Sequence, residues 1–242
     1  MIKKHIPNFI TLLNLASGFV AIMFAVNNNL ITASWIILMA MIFDYLDGFF
    51  ARLLNAYSEI GKELDSLADM VSFGISPAII IFSLLKESLL IPGPTAGKTY
   101  TLTTSIILGS TLIMPVCAAL RLAIFNTDES QTKSFRGLPT PANALAVISV
   151  VIAEHYSDGG LLTSFTDSAA GLVIFTLILS VLMVIRIPLL SFKISDFKFK
   201  GNEGRYLLLV MTGTALIISG LGAAPLIIPF YIIASLISLF FR

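Results

Sequence analysis

Residues 36–69 read IILMAMIFDYLDGFFARLLNAYSEIGKELDSLAD, and a conflict inside that stretch decides the fold. It opens on eight apolar residues, Ile36 to Phe43, and then sets Asp44, Asp47, Asp65 and Asp69 among apolar neighbours. Outward from it, apolar runs fall at roughly 8–27, 31–53, 63–86, 102–125, 140–156, 168–188, 205–221 and 225–241. Several approach the ~20 residues that a helix needs to cross a bilayer. The chain is 57% hydrophobic and 12% charged, with a mean hydropathy of +0.94, far from the balance of a soluble domain. The expected fold is all-α: a polytopic transmembrane helix bundle of about eight spans, a six-helix catalytic core and a C-terminal pair. A carboxylate ionised at membrane depth costs at least ~2.5 kcal/mol, and four close together also repel one another. Something positive must sit among these four.

Turn chemistry separates the runs: Asn27-Asn28-Asn29, Pro92-Gly93-Pro94, Asp158-Gly159-Gly160 and the polar stretch from Ser191 to Gly204. The last two runs are divided only by Gly220-Leu221-Gly222, with Pro225 following, so they read as a helical hairpin, a re-entrant pair or two crossings. The division expected is a catalytic membrane domain over 1–190, then a basic interfacial segment and C-terminal helical pair over 191–242. If the N-terminus is cytoplasmic, every Lys and Arg except Lys86 and Lys98 falls on the cytoplasmic side. Both termini and the acidic cluster are then expected at the cytoplasmic face of the inner membrane. Lys198 and Lys200, interleaved with Phe197 and Phe199, suit an interface with membrane lipids, or serve only to fix topology. A net charge of +1, with its basic residues dispersed, excludes nucleic acid as a partner. The single cysteine, Cys117, rules out a disulfide framework within the chain.

Spacing turns the acids into a site. Asp44 and Asp47 are three apart and Asp65 and Asp69 four apart, so each pair projects from one helix face. Two such helices packed antiparallel can aim four carboxylates at one centre. An all-oxygen ligand set selects Mg²⁺ or Mn²⁺ over zinc. Gly48, Ala51 and Gly61 keep the surrounding helix faces low and leave room for a ligand, and Arg52, two turns from Asp44, can grip a phosphate with its planar fork. Metal, arginine and small residues together describe a diphosphate site. Two other readings compete. The acids could form buried ion pairs that fix helix register, or mark the pathway of an ion-coupled transporter. A transporter predicts acids strung along a path, whereas these cluster at one level.

The run Asp44-x2-Asp47-Gly48-x2-Ala51-Arg52-x8-Gly61-x3-Asp65-x3-Asp69 resembles the complete motif of the CDP-alcohol phosphatidyltransferases. The resemblance implies that the four aspartates hold two divalent cations against the CDP diphosphate and that Asp69 is the catalytic base. It implies nucleotide and phosphate contacts from Gly48, Arg52 and Ser58, although a serine at that turn also suits a helix cap. On the first helix Asn8, Thr11 and Asn14, three residues apart, face either the CDP-lipid or a neighbouring helix.

Residues 6–18, 58–74, and 121–126 followed by 137–142 extend the likeness to the phosphatidylserine synthase branch. This implies CDP-diacylglycerol and L-serine as substrates, phosphatidylserine and CMP as products, and a homodimer. The chain departs from the branch at Ile124, where a basic residue is common. Serine brings a carboxylate and an ammonium as well as its hydroxyl, so the acceptor candidates are Arg121, Asn126 and Thr140. Each has a plainer alternative: a snorkelling charge, a helix C-cap and an N-cap ahead of Pro141. Glycerol 3-phosphate or inositol phosphate would call for further clustered Arg or Lys. No Ser, Cys or His near the cluster is placed as a nucleophile, which favours direct attack by the alcohol. His5 and His155, far from the motif, leave no His-Lys pair for lipid cleavage.

Overall fold

The computed structural model describes residues 5–91, 100–127, 135–157, 160–190 and 202–238. The expected turns at Pro92-Gly93-Pro94 and Asp158-Gly159, and the basic stretch from Ser191 to Lys200, lie outside the described residues, as do Lys3, Lys4, Lys98, Lys133 and Arg242. Within them the chain is helical: α1 (Ile6–Val26), α2 (Leu30–Leu53), α3 (Glu59–Ser88), α4 (Leu102–Thr127), α5 (Thr140–Tyr156), a short α6 (Leu161–Thr166), α7 (Ala169–Val184), α8 (Glu203–Ser219) and α9 (Ile227–Ser238). A two-stranded ribbon, β1 (Phe135–Arg136) against β2 (Pro188–Leu189), closes one end. Within the described residues, each of the eight apolar runs lies mostly in helix.

The local causes lie at the helix ends. Asn28 turns the chain between α1 and α2 with φ 62°, a region asparagine tolerates, and the Asn29 side chain caps α2 by accepting from Thr32 N at 3.3 Å. Thr101 and Ser168 cap α4 and α7 in the same way. Five helical runs are long and apolar enough to cross a membrane, and large apolar side chains such as Phe9, Phe19, Ile42, Val116 and Ile217 point outward. The interior contacts use small residues, among them Ala21, Ala25, Ala33, Ser34 and Ala40. Helices in a bilayer associate by such close packing, since lipid tails offer no hydrophobic contrast. The chain has the make-up of an integral membrane protein.

α1 and α3 run parallel, with α2 returning between them in sequence. Ser72 donates to Asn14 O (2.9 Å), Ser76 to Gly18 O (2.9 Å) and Ser83 to Ala25 O (3.0 Å), always 58 residues apart. A constant offset is possible only for parallel axes. Gly18 makes the approach possible, because a Cβ there would stand 2.3 Å from Ser72 Oγ and 2.7 Å from Ser72 Cα. α3 is not regular along its length. After Asp69 it widens into a π-helical turn, Met70–Ile75, followed by Pro77. Proline has no N–H to return to Phe73 one turn back, and the Asn143 amide of α5 reaches Phe73 O at 3.4 Å instead.

The C-terminal run doubles back. Gly220 adopts φ 56°, a 3-10 turn follows over Gly220–Leu226, and a Cβ on Gly204 at the start of α8 would meet Ser238 Cβ and Ala234 O near the end of α9 within 2.9 Å. The turn reaches Ser157 at the end of α5, so the hairpin runs the length of that helix. It is locked to the strand end by Tyr231 Oη donating to Leu190 O (2.9 Å) and Leu190 N donating to Ser235 Oγ (3.1 Å). The capping role expected for Thr140 is corrected: Pro139 holds the N-cap position of α5, with φ −60° and ψ 145°, and Thr140 is the first helical residue. A proline at the cap position already holds the extended conformation that a cap needs.

Candidate active site

α2 arrives at the site from one direction and α3 leaves it in the other, joined by a short turn in which Asn55 takes φ 49°. Ser58 caps α3, accepting from Gly61 N at 3.0 Å, so the plainer reading of Ser58 holds at the backbone level. Gly61 permits the start of α1 to close on this turn, since a Cβ would lie 2.9 Å from both Asn8 Oδ1 and Ser58 Oγ. The capped start fixes the rotation of α3, and with it the direction of the two aspartates that follow.

Three of the four carboxylates converge. One oxygen from each of Asp44, Asp47 and Asp65 lies within 4.8 Å of the others. Opposite ligands on an octahedral Mg²⁺ stand about 4.2 Å apart and adjacent ones about 3 Å. The set is therefore slightly expanded and closes on an ion by small side-chain rotations. Asp47 Oδ2 and Asp65 Oδ1 are buried with no hydrogen-bond partner, as expected of atoms meant for a cation. Asp44 lies in the field of Asp65 and Asp47, and Asp65 in that of Asp47. Such a cluster is strongly unfavourable without a counter-charge, so the donor set and its electrostatics both fit a hard divalent ion.

Asp69 stands apart from the triad. It is buried one turn deeper, where Asn14 Nδ2 donates to its Oδ1 at 3.4 Å, and the Arg121 guanidinium of α4 is its electrostatic partner. Asp69 lies outside the group whose oxygens come within 4.8 Å of one another, while the charges of Asp44, Asp65 and Asp47 all bear on its carboxyl. The four-residue step along α3 carries Asp69 past the triad toward α1 and α4.

A cavity of about 210 Å³ opens beside the triad. Its walls include Asn8, Thr11, Asp47, Gly48, Ala51, Ser58, Gly61 and Asp65, all singled out from sequence, together with Pro7, Ala56, Tyr57 and Lys62, which were not. Pro7 begins α1 and Lys62 follows the motif glycine, so a lining role was readable only once the ends of α1 and α3 were known to meet. The Thr11 hydroxyl lies between Pro7 O, at 3.0 Å, and the Asp47 carboxylate. Arg52 is exposed at the rim, its Nη1 near Gly48, where an added Cβ would stand 3.8 Å away.

The acceptor candidates separate. Arg121 is buried, stacks over the Phe125 ring at 5.9 Å and faces Asp69. Thr140 is buried with its hydroxyl unpartnered. Asn126 ties helices together: its Nδ2 donates to Ser66 Oγ at 2.8 Å, and its carbonyl oxygen accepts from Lys62 Nζ at 3.0 Å. It is not among the residues lining the cavity.

The chain is similar to known proteins. The family model described as CDP-alcohol phosphatidyltransferase matches residues 4–192. A CDP-diacylglycerol–serine O-phosphatidyltransferase of Bacillus subtilis is 33% identical over 190 residues, covering 78% of this chain and 92% of that protein. The Helicobacter pylori (strain 26695) protein of the same name is 30% identical over 236 residues, 96% of this chain and 89% of its own. An archaetidylserine synthase of Methanothermobacter thermautotrophicus is 32% identical over 155 residues, with 60% of its length covered. The chain belongs to the CDP-alcohol phosphatidyltransferase family.

Proposed function

We propose that this protein transfers the phosphatidyl group of CDP-diacylglycerol to L-serine, releasing CMP. The observation that carries the reading is the triad of Asp44, Asp47 and Asp65 oxygens beside a cavity whose walls are the motif's own small residues. The serine acceptor rests on relatives with that activity in their names, matched at 30–33% identity over most of this chain.

Asp44, Asp47 and Asp65, with Asp69 joining them, would hold two divalent ions, Mg²⁺ or Mn²⁺. Bound there, such ions would neutralise diphosphate oxygens and stabilise the charge left on CMP. The chain's own residues do the rest. Gly48 and Ala51 let the diphosphate approach α2, Arg52 grips a phosphate from the rim, and Asn8, Thr11, Ser58 and Gly61 line the space for the nucleotide. Asn14 holds one oxygen of Asp69 and leaves the other to accept the proton of the incoming hydroxyl, which attacks the phosphatidyl phosphorus directly. Arg121 receives the carboxylate of serine beside that base, with Thr140 as a polar neighbour, and Asn126 steadies the α3–α4 contact behind it.

The same reading puts the site at the cytoplasmic face of the inner membrane with both termini cytoplasmic, and residues 1–190 as the catalytic domain with 191–242 appended. From the resemblance, the protein works as a homodimer. The test is CMP release by purified protein given CDP-diacylglycerol, Mg²⁺ or Mn²⁺ and one alcohol at a time. L-serine is expected to support release and glycerol 3-phosphate and inositol phosphate are not; release with a phosphorylated alcohol alone would overturn the serine assignment.

A further inference from the structure

Three buried polar groups converge on the π-helical turn after Asp69 with bonding capacity left over. Arg121, 7% exposed, has an unpartnered Nε; Thr140 and Asn143, both 0% exposed, have an unpartnered Oγ1 and Oδ1. A buried polar atom without a partner costs about 1–3 kcal/mol, so three around one turn call for a ligand. Their placement is fixed from several sides. Thr140 and Asn143 are three apart on the first turn of α5 and share a face. Asn143 touches the π turn through Phe73 O, and Ala118, one turn before Arg121, packs against Gly74 of the same turn, where an added Cβ would stand 3.1 Å from its own. Arg121 faces Asp69, which begins the turn.

The polarity of each free atom can be assigned. Phe73 O only accepts, so the Asn143 nitrogen must point at it and the atom left free is the carbonyl oxygen. Arg121 Nε only donates. The Thr140 hydroxyl can donate, and it sits at the positive end of a 17-residue helix. A donor pair beside a helix N-terminus suits a carboxylate. A lone amide oxygen one turn along suits an ammonium.

We propose that Asn143 is a specificity-determining residue: its Oδ1 receives the ammonium group of an amino-alcohol acceptor while Arg121 and Thr140 hold that acceptor's carboxylate, with its hydroxyl turned to Asp69. The proposal rests on serine being the acceptor and adds which atoms distinguish it from an alcohol lacking the amine. Pro77 explains why an asparagine stands at this position at all, since its missing N–H leaves Phe73 O for a side chain to satisfy. That role uses only the nitrogen.

The test separates the two uses of the side chain. Asn143→Ser removes the free carbonyl, and any loss from its shorter side chain at Phe73 O falls on both acceptors alike; Thr140→Val removes an unpartnered hydroxyl at constant shape. Steady-state CMP release is measured with L-serine and with 3-hydroxypropionate, which lacks the ammonium. Asn143→Ser is expected to raise KM for L-serine about tenfold or more beyond any change it causes with 3-hydroxypropionate, and to leave KM for CDP-diacylglycerol within about twofold. Thr140→Val is expected to weaken both acceptors alike, since both carry the carboxylate. Unchanged serine KM in Asn143→Ser, or an equal loss with both acceptors, overturns the proposal and leaves water as the occupant. Should the unaltered enzyme release CMP with glycerol 3-phosphate and not with serine, the serine assignment falls and this inference with it.

Discussion

The two sides of the π turn are built differently. On one side Asp44, Asp47 and Asp65 come from two consecutive helices joined by a five-residue turn, residues 54–58, and every spacing that matters is a helical three or four. On the other, Arg121, Thr140 and Asn143 come from two helices much farther along the chain and meet only because α4 and α5 both pack on α3. The difference teaches that the proposed metal site, which must be held to within fractions of an ångström, is built from neighbouring turns of chain. The proposed acceptor side is assembled from pieces that can change separately.

Removing the acid that stands between the two sides should do the most damage. Asp69→Asn keeps the shape and the Asn14 contact while losing the base, and CMP release is expected to fall by about 10³-fold with little change in either KM. Wild-type turnover in that variant would break the assignment of Asp69. Chelating the divalent ion should abolish release in the wild type and restore it on adding Mg²⁺ or Mn²⁺. Asp65→Asn should raise the ion concentration needed for half activity, and a metal-independent rate would break the metal side of the comparison.

Next in size is the packing that holds the metal side together. Gly18→Val would drive a side chain into Ser72 on α3 and should cost about 3 kcal/mol, read as a fall in the thermal midpoint in detergent with loss of activity. Arg121→Lys keeps the charge and discards the planar fork, so serine KM should rise about tenfold while KM for the CDP-lipid stays put. An equal rise in both would move Arg121 to the donor side. Asn126→Ala should cost only about 1 kcal/mol of stability, the worth of its bond to Ser66, and leave both KM values unchanged.

Sequence made one side legible and left the other in outline. Apolar run lengths placed the helices, and the carboxylate spacing together with Gly48, Ala51, Arg52 and Gly61 marked the cavity, because helical periodicity converts directly into which residues share a face. The bond from Asn14 to Asp69 was not readable, since it depends on the rotation of α3 against α1. Nor was the π turn, although Pro77 inside an apolar run was its signal. Asn143 was passed over because an asparagine in an apolar helix has meaning only beside the carbonyl it serves, and Phe73 lies 70 residues away. The bond of Asn126 to Ser66 was hidden for the same reason, since Ser66 belongs to another helix.

The central claim is that the aspartate triad is a cation site, and the most direct measurement is anomalous diffraction from crystals grown with Mn²⁺. The account predicts an anomalous peak about 2 Å from oxygens of Asp44, Asp47 and Asp65 together, lost in Asp65→Asn. A peak elsewhere, or none at the triad in crystals of active protein, would contradict it.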